Sequence, residues 1–343
     1  MTDTGPARPL WLSVLTSTWI KIGLAAAVIY ALVAFNRIEL QSFAGLSRNW
    51  PWLLSAFLLM LPPYLLVSYR FWRVLRIQGI RVDFRLALRW TMIGSFFDVA
   101  MPSSSGGDVV KAGYIARHVG AGMRVRAVMA VAFDRVLGLI GLFLLAAGTS
   151  VVGWTTVRAM RGSGQLMAFL LLISLASLLF FRVLGSRRLY NHPRLRRLLD
   201  RAPGGQRLLG VIGCFNSLRE QPRDLATVLA LSMFNHVFWC GSLLCIAAAF
   251  GYRVGLVSGF TVFPLAIFGN VFGVAGGFGV GTAAFDLIFL QLLSIPVGAA
   301  IGLTFQTLGV LVRLLGLPFY LMPAPPGATH LPGRRPDPDR PPT

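Results

Sequence analysis

Long apolar runs alternate with short basic segments along most of the chain. The runs are close to the roughly 20 residues that a helix needs to cross the hydrocarbon core of a bilayer. Full spans are predicted at Trp19–Phe35, Pro51–Tyr69, Ala127–Val152, Gln165–Phe181, Leu225–Phe250 and Val297–Leu321. The pattern therefore predicts an all-α polytopic membrane protein.

Two further apolar segments are broken by glycine and polar residues. Thr91–Ala116 contains Pro102, three serines, two glycines and Asp108, and Val257–Phe272 is separated from Val280–Leu293 by a glycine-rich stretch. Each segment is typical of two half-helices that meet at a turn. Such a segment either returns to the side it entered from or crosses twice, with glycines that allow close helix packing.

The order of these elements repeats along the chain. Two spans, a glycine-broken segment and one span make up residues 19–152, and the same order makes up residues 165–321, starting from the opposite side. Inverted repeats with a broken segment in each half indicate the central site of a transporter. We therefore expect one transmembrane domain over residues 19–321.

The composition fits a membrane protein, and the distribution of basic residues predicts its orientation in the membrane. The 343 residues are 55% hydrophobic, only 13% charged, and carry a net charge of +20. The basic residues fall between apolar runs, so anionic lipid headgroups are the expected partners rather than nucleic acid. Inner loops 70–89, 111–126 and 182–223 hold twenty Lys and Arg residues against five in the outer loops. Both termini, including residues 1–18, are therefore expected in the cytoplasm, and the Pro-rich residues 322–343 are expected to be disordered.

The first broken segment contains the clearest candidate site. Ser105, Gly106, Gly107 and Asp108 precede an apolar helix, with Asp108 expected as its N-cap. Free amides at a helix N-terminus bind anions, and the phosphate of a lipid headgroup is the candidate ligand. Lys111, one turn further, can hold that phosphate or pair with Asp108. Helix capping alone is the simpler alternative.

Two more charges lie within the span that follows. Asp134 and Arg135 would be costly at membrane depth unless they are paired or line a wet cavity. For Asp134 the expectation is a structural ion pair with Lys111 or Asp108, or direct contact with substrate, and these roles do not exclude one another.

The second half offers a set of polar or glycine positions within apolar segments. We consider them a second-half site, although each polar residue alone is more often a helix-packing group: Asn270, Gly276, Gly277, Thr282, Asp286 and Arg313.

Catalytic and metal-binding patterns are weak. The four histidines are scattered, none lies near a plausible nucleophile in the sequence, and no metal-ligand spacing is present. His236, on an apolar span, is interpreted as a hydrogen-bonded packing residue rather than a ligand. Neither a metal nor another cofactor is therefore expected, and a transporter is favoured over an enzyme.

Four motifs resemble a known family. GGDVVK at Gly106–Lys111, FDRVLGL at Phe133–Leu139, RFWRVLRIQGI at Arg70–Ile80 and the glycine-rich stretch at Phe263–Phe285 are similar to the lysylphosphatidylglycerol synthase transmembrane region family, also called flippase-like or UPF0104.

Two departures from the family pattern concern the candidate site. Lys111 stands where the family usually has Arg, which keeps the charge but loses the guanidinium fork. Ala275 and Thr282 stand where the second motif commonly has Pro and Glu. If that Glu couples to substrate, this chain either uses Asp286 or works differently.

The resemblance implies a bacterial inner-membrane protein that handles lipids, without the aminoacyltransferase domain, because only the Pro-rich tail follows Leu321. The first hypothesis is a protein that binds and translocates phospholipids or lipid-linked substrates, with anionic headgroups as partners. The alternative is a membrane enzyme, or an accessory subunit of a partner enzyme, in lipid or cell-envelope modification. An enzyme would have to use Asp108 or Asp134 as its general base.

Overall fold

A computed structural model describes residues 30, 45–101, 106–160, 162–184, 205–273 and 277–322. Regular secondary structure within them is helical: α1 Trp50–Leu59, α2 Pro62–Ile77, α3 Phe84–Ala100, α4 Gly106–His118, α5 Arg124–Val152, α6 Trp154–Arg158, α7 Ser163–Leu184, α8 Gly205–Glu220, α9 Pro222–Ala249, α10 Leu256–Asn270, α11 Val280–Leu293, α12 Gly298–Leu314 and α13 Leu317–Leu321. The predicted span Trp19–Phe35, apart from Tyr30, and the segments 1–18 and 323–343 lie outside the described residues.

Long apolar helices confirm the predicted class of an all-α polytopic membrane protein. Among the described residues, four stretches are long and apolar enough to cross a membrane: Trp50–Ile77, Arg124–Val152, Pro222–Ala249 and Gly298–Leu321. The 22-residue helix α7 covers the predicted span Gln165–Phe181.

Helices α5 and α9 form the centre of the fold. They are the two longest described helices, with 29 and 28 residues, and they pack against each other and against helices of both halves. They approach each other closely at Gly141, where an added Cβ atom would overlap the Ser232 side chain. A small residue is therefore required at this crossing.

Each glycine-broken segment forms a pair of closely packed helices. A Cβ atom on Gly107 of α4 would overlap the carbonyl oxygen of Gly94 on α3, and a Cβ on Gly269 of α10 would lie 2.5 Å from the Cβ of Ala284 on α11. The four helices have only 13 to 17 residues, or about 20–25 Å at a rise of about 1.5 Å per residue. That length is short of the roughly 30 Å hydrocarbon core and favours the re-entrant arrangement, which stays a prediction.

Helix α2 extends beyond the span predicted from the sequence. The sequence placed the end of the span at Tyr69 and Arg70 in a cytoplasmic loop, but the helix continues to Ile77 and Arg70 is buried. The helix continues because Phe71, Val74 and Leu75 bury an apolar face in the protein core.

A helix, α8, lies within the basic loop 182–223. In α8, Cys214, Phe215 and Leu218 are buried against the same core cluster as α2 and α5. The adjoining residues 185–204 of the predicted loop lie outside the described residues.

Candidate functional site

A cavity of about 310 Å³ lies where the two halves of the chain meet. The first half contributes lining residues from α2, α3, α4 and α5, and the second half from α9, α10 and α12. Both glycine-broken segments reach it, through Asp98 and Gly107 in one pair and Asn270 and Val271 in the other. Residues that flank the breaks in both halves thus converge on one cavity.

A buried ionic triad forms one wall of the cavity. The Nε atom of Arg70 donates to Asp134 Oδ1 over 2.9 Å, and Lys111 Nζ lies 3.3 Å from Asp134 Oδ2. Each of the three residues is 5% exposed. The Lys111 ammonium also lies 3.8 Å from the ring centroid of Phe71, a cation–π contact. The Lys111–Asp134 pair expected from the sequence is present, but Asp134 is shared with a second cation, Arg70.

The spacing of Asp134 and Gly138 on α5 accommodates the Arg70 guanidinium. Residues four apart lie on one face of a helix, so Gly138 is beside the guanidinium that Asp134 binds. A Cβ atom on Gly138 would lie 3.0 Å from Arg70 Nη1. The same Nη1 donates to Ser232 Oγ over 3.1 Å, so the motif on α5 positions an arginine that reaches across from α2.

A second ion pair joins α4 to α5, where the Arg135 guanidinium donates to the Asp108 carboxylate. Both side chains are about one-third exposed, so the pair lies at a wetter part of the site than the triad. The expectation that Asp108 is the N-cap of α4 is wrong, because the helix already begins at Gly106 and Asp108 lies within its first turn.

Asp98, which is not among the predicted site residues, is the anion that binds an amide at this helix end. The Gly107 amide donates to Asp98 Oδ1 over 2.9 Å, so this amide is not free to bind a phosphate. Asp98 was recognisable in the sequence as an acid within an apolar segment, but its proximity to Gly107 depends on how α3 packs on α4.

Arg313 links the second half to the same cluster. It lines the cavity from α12 and lies close enough to Asp98 and to the Tyr64 hydroxyl to interact electrostatically with both. The structure therefore places this predicted second-half residue beside the first-half site.

The other second-half candidates surround Gln306, which forms a small hydrogen-bond hub. Thr282 Oγ1 donates to Gln306 Oε1 over 2.8 Å, while Gln306 Nε2 donates to Asn270 Oδ1 and the Gly277 carbonyl over 2.9 and 3.0 Å. Gly277 has a φ of +114°, and a Cβ atom there would overlap the Asn270 amide. The hub thus binds Gly277, which precedes α11, and glycine alone fits the backbone and the space at this position.

The predicted residues are only partly brought together. Gly107, Asp108, Lys111, Asp134, Arg135, Asn270 and Arg313 line the cavity; Gly106 is buried beside Met101 at the start of α4. Gly277, Thr282 and Asp286 are buried in the second half without being lining residues. Ser105 and Gly276 lie outside the described residues.

Two further lining residues, Asn235 and His236, were missed as site residues. Both lie on α9, and His236 Nε2 is 3.0 Å from the Gly138 carbonyl oxygen. His236 is therefore hydrogen-bonded, as expected of a packing residue, but it also lines the cavity. Adjacent polar residues in an apolar span were a visible signal, but the sequence does not show which face of α9 meets the cavity.

The described lining has a small excess of positive charge. Arg70, Lys111, Arg135 and Arg313 outnumber the three carboxylates by one. In a membrane, charges of this kind are retained where they face the protein interior or a polar ligand.

The fold and cavity thus define a polytopic helical membrane protein with a charged site between its two halves. The chain belongs to the lysylphosphatidylglycerol synthase transmembrane region family, whose family model matches residues 18–316. It is a multi-pass membrane protein of a family tied to lipid modification or transport. No curated protein and no solved structure matches it.

Proposed function

We propose that the cavity binds the headgroup of an anionic phospholipid or lipid-linked substrate and that the protein moves this lipid between the leaflets. The observation that supports the proposal is the meeting of both glycine-broken helix pairs at one cavity that contains four cationic side chains. A phosphate is the lipid group that such cations recognise.

The distribution of the carboxylates favours binding over catalysis. Asp134 is held by two cations and Asp108 by Arg135. These were the two candidate bases for the alternative of a lipid-modifying enzyme. A carboxylate that is already engaged in ion pairs is a poor proton acceptor, so the site is better suited to holding a charged group.

We propose a bacterial inner-membrane location, as the family resemblance implies, with both termini in the cytoplasm, as the basic loops support. In that orientation α3 and α4 enter the membrane from the cytoplasm and α10 and α11 from outside. Their turns would then approach the cavity from opposite sides, an arrangement suited to alternating access.

Reconstitution into sealed vesicles tests translocation. With fluorescent phosphatidylglycerol in both leaflets and a membrane-impermeant quencher outside, vesicles with the protein should lose the protected fraction faster than empty vesicles. Arg313→Gln should slow this exchange about tenfold, the loss expected for one hydrogen bond to a charged group. Arg223→Gln, at an exposed arginine at the start of α9, is the matched control and should not differ from wild type.

Two outcomes would count against the proposal. One is wild-type exchange no faster than in empty vesicles across anionic and zwitterionic lipids. The other is a chemical species missing from the lipids of a deletion strain, which indicates lipid modification. Unchanged species with an altered leaflet distribution in intact membranes would instead support translocation.

A further inference from the structure

Two neighbouring side chains on α9 present unsatisfied polar atoms at the cavity. Asn235 Oδ1 and His236 Nδ1 are both buried and have no hydrogen-bond partner among the described residues, and both residues line the cavity. Asn235 is only 3% exposed. A buried polar atom without a partner is costly, so its retention at a cavity points to a ligand group.

The hydrogen bond of His236 shows that the other ring nitrogen, Nδ1, is a hydrogen-bond acceptor. The Gly138 carbonyl, 3.0 Å from Nε2, can only accept, so Nε2 carries a proton. In the neutral ring Nδ1 then has a lone pair. The Arg70 guanidinium also lies beside Gly138, so a cation is close to the His236 ring. Asn235 Oδ1 is likewise an acceptor, and the pair requires a donor from the ligand.

The surroundings determine the kind of donor. An ammonium group at these acceptors would lie close to the Arg70 guanidinium, which like His236 lies beside Gly138, and would be repelled. A hydroxyl group donates without adding charge. The ligand must also satisfy the excess positive charge of the lining.

Building on the proposed function, we propose that Asn235 and His236 form a hydroxyl subsite, selecting monoanionic phosphodiester lipids whose headgroup carries a polyol or sugar. The phosphodiester would face the cationic side chains, and a headgroup hydroxyl would donate to Asn235 Oδ1 or His236 Nδ1. Both residues are thus specificity-determining residues for the headgroup.

Binding of short-chain lipids to the purified full chain in detergent tests the subsite without relying on transport. Thermal stabilisation is titrated with dioctanoyl phosphatidylglycerol and with dioctanoyl phosphatidylpropanol, which has the same charge but no headgroup hydroxyl. Wild type should bind phosphatidylglycerol about five to ten times more tightly, the ratio given by one net hydrogen bond. Asn235→Leu and His236→Phe should each reduce this ratio towards one by weakening phosphatidylglycerol binding alone.

Further variants separate recognition from folding. His236→Gln can retain a donor to the Gly138 carbonyl while displacing the acceptor, so it should fold and still lose selectivity. Thr227→Val removes an exposed hydroxyl of α9 outside the lining and should keep the wild-type ratio.

The proposal is overturned if wild type binds both lipids equally, which would mean that water satisfies the two acceptors. It is also overturned if all three subsite variants keep the selectivity, or if phosphatidylethanolamine, an ammonium donor, binds more tightly than phosphatidylglycerol. Selective binding without any exchange in vesicles would support the subsite while refuting translocation, so the two proposals fail separately.

Discussion

Replacement of Asp134 by Asn tests the buried triad most directly. The change removes one negative charge and leaves the cations of Arg70 and Lys111 facing each other at a 5% exposed position. Loss of one partner from a buried ion pair typically costs about 3–5 kcal/mol. The cost at Asp134 should reach this range because two cations, at 2.9 and 3.3 Å, lose their counter-ion together.

Replacement of Lys111 by Met should have a much smaller effect. The remaining Arg70–Asp134 pair keeps its 2.9 Å hydrogen bond, so no buried charge is left unpaired. We expect a loss of about 1 kcal/mol, as for one net hydrogen bond. Asp134→Asn combined with Lys111→Met should recover part of the stability, because Arg70 alone restores the single net positive charge of the triad and still reaches Ser232.

The measurement is unfolding in mixed micelles with increasing denaturing detergent, followed by far-ultraviolet circular dichroism. Asp224→Asn is the matched control, since its partner Arg73 forms an ion pair that is 25–35% exposed and worth about 0–1 kcal/mol. An Asp134→Asn variant as stable as the control would refute the buried triad. If Lys111→Met lowers the free energy of unfolding as much as Asp134→Asn does, the pair with Arg70 is not sufficient to stabilise the Asp134 carboxylate.

Three other predictions concern helix packing, the Gln306 hub and the topology of α10 and α11. Gly107→Ala should abolish the folded yield, because its methyl group would overlap a backbone carbonyl of α3, whereas Gly113→Ala, with no atom within 4 Å, should express normally on a fluorescence-detected column. Gln306→Leu should cost about 1–3 kcal/mol in the same unfolding assay, because it leaves buried polar partners unsatisfied. A cysteine in place of the exposed Phe272 should resist impermeant thiol reagents from the cytoplasmic side; labelling from that side would favour two full spans over the re-entrant pair.

The helices were largely predictable because membrane spans carry a strong local signal. A run of about 20 apolar residues is visible without any tertiary information, and glycine and serine clusters mark a break in the helix. The end of α2 was predicted wrongly because the local signal is misleading there. Arg70 looks like the first residue of a basic loop, and only the pocket beside Gly138 and Asp134 explains its burial.

The candidate site was predictable to the extent that its charges stood out in apolar sequence. Asp134 and Lys111 were recognised as partners from that contrast alone. The contact of Arg70 with Asp134 was not predictable, because Arg70, Lys111 and Asp134 lie on three different helices. Asp98 shows the same limit: its capping of Gly107 depends on a crossing of α3 and α4 that two glycines permit.

The acceptors on α9 and the cationic side chains of the cavity recognise different features of one ligand. Cations alone would accept any anionic lipid, and a bilayer offers many. A hydroxyl subsite adds a requirement that charge cannot supply, because a site with buried acceptors penalises a headgroup that leaves them unsatisfied. The ion pairs also neutralise much of the positive charge of the lining. A ligand held by a small net charge and a few neutral hydrogen bonds can leave again, as a lipid carrier requires.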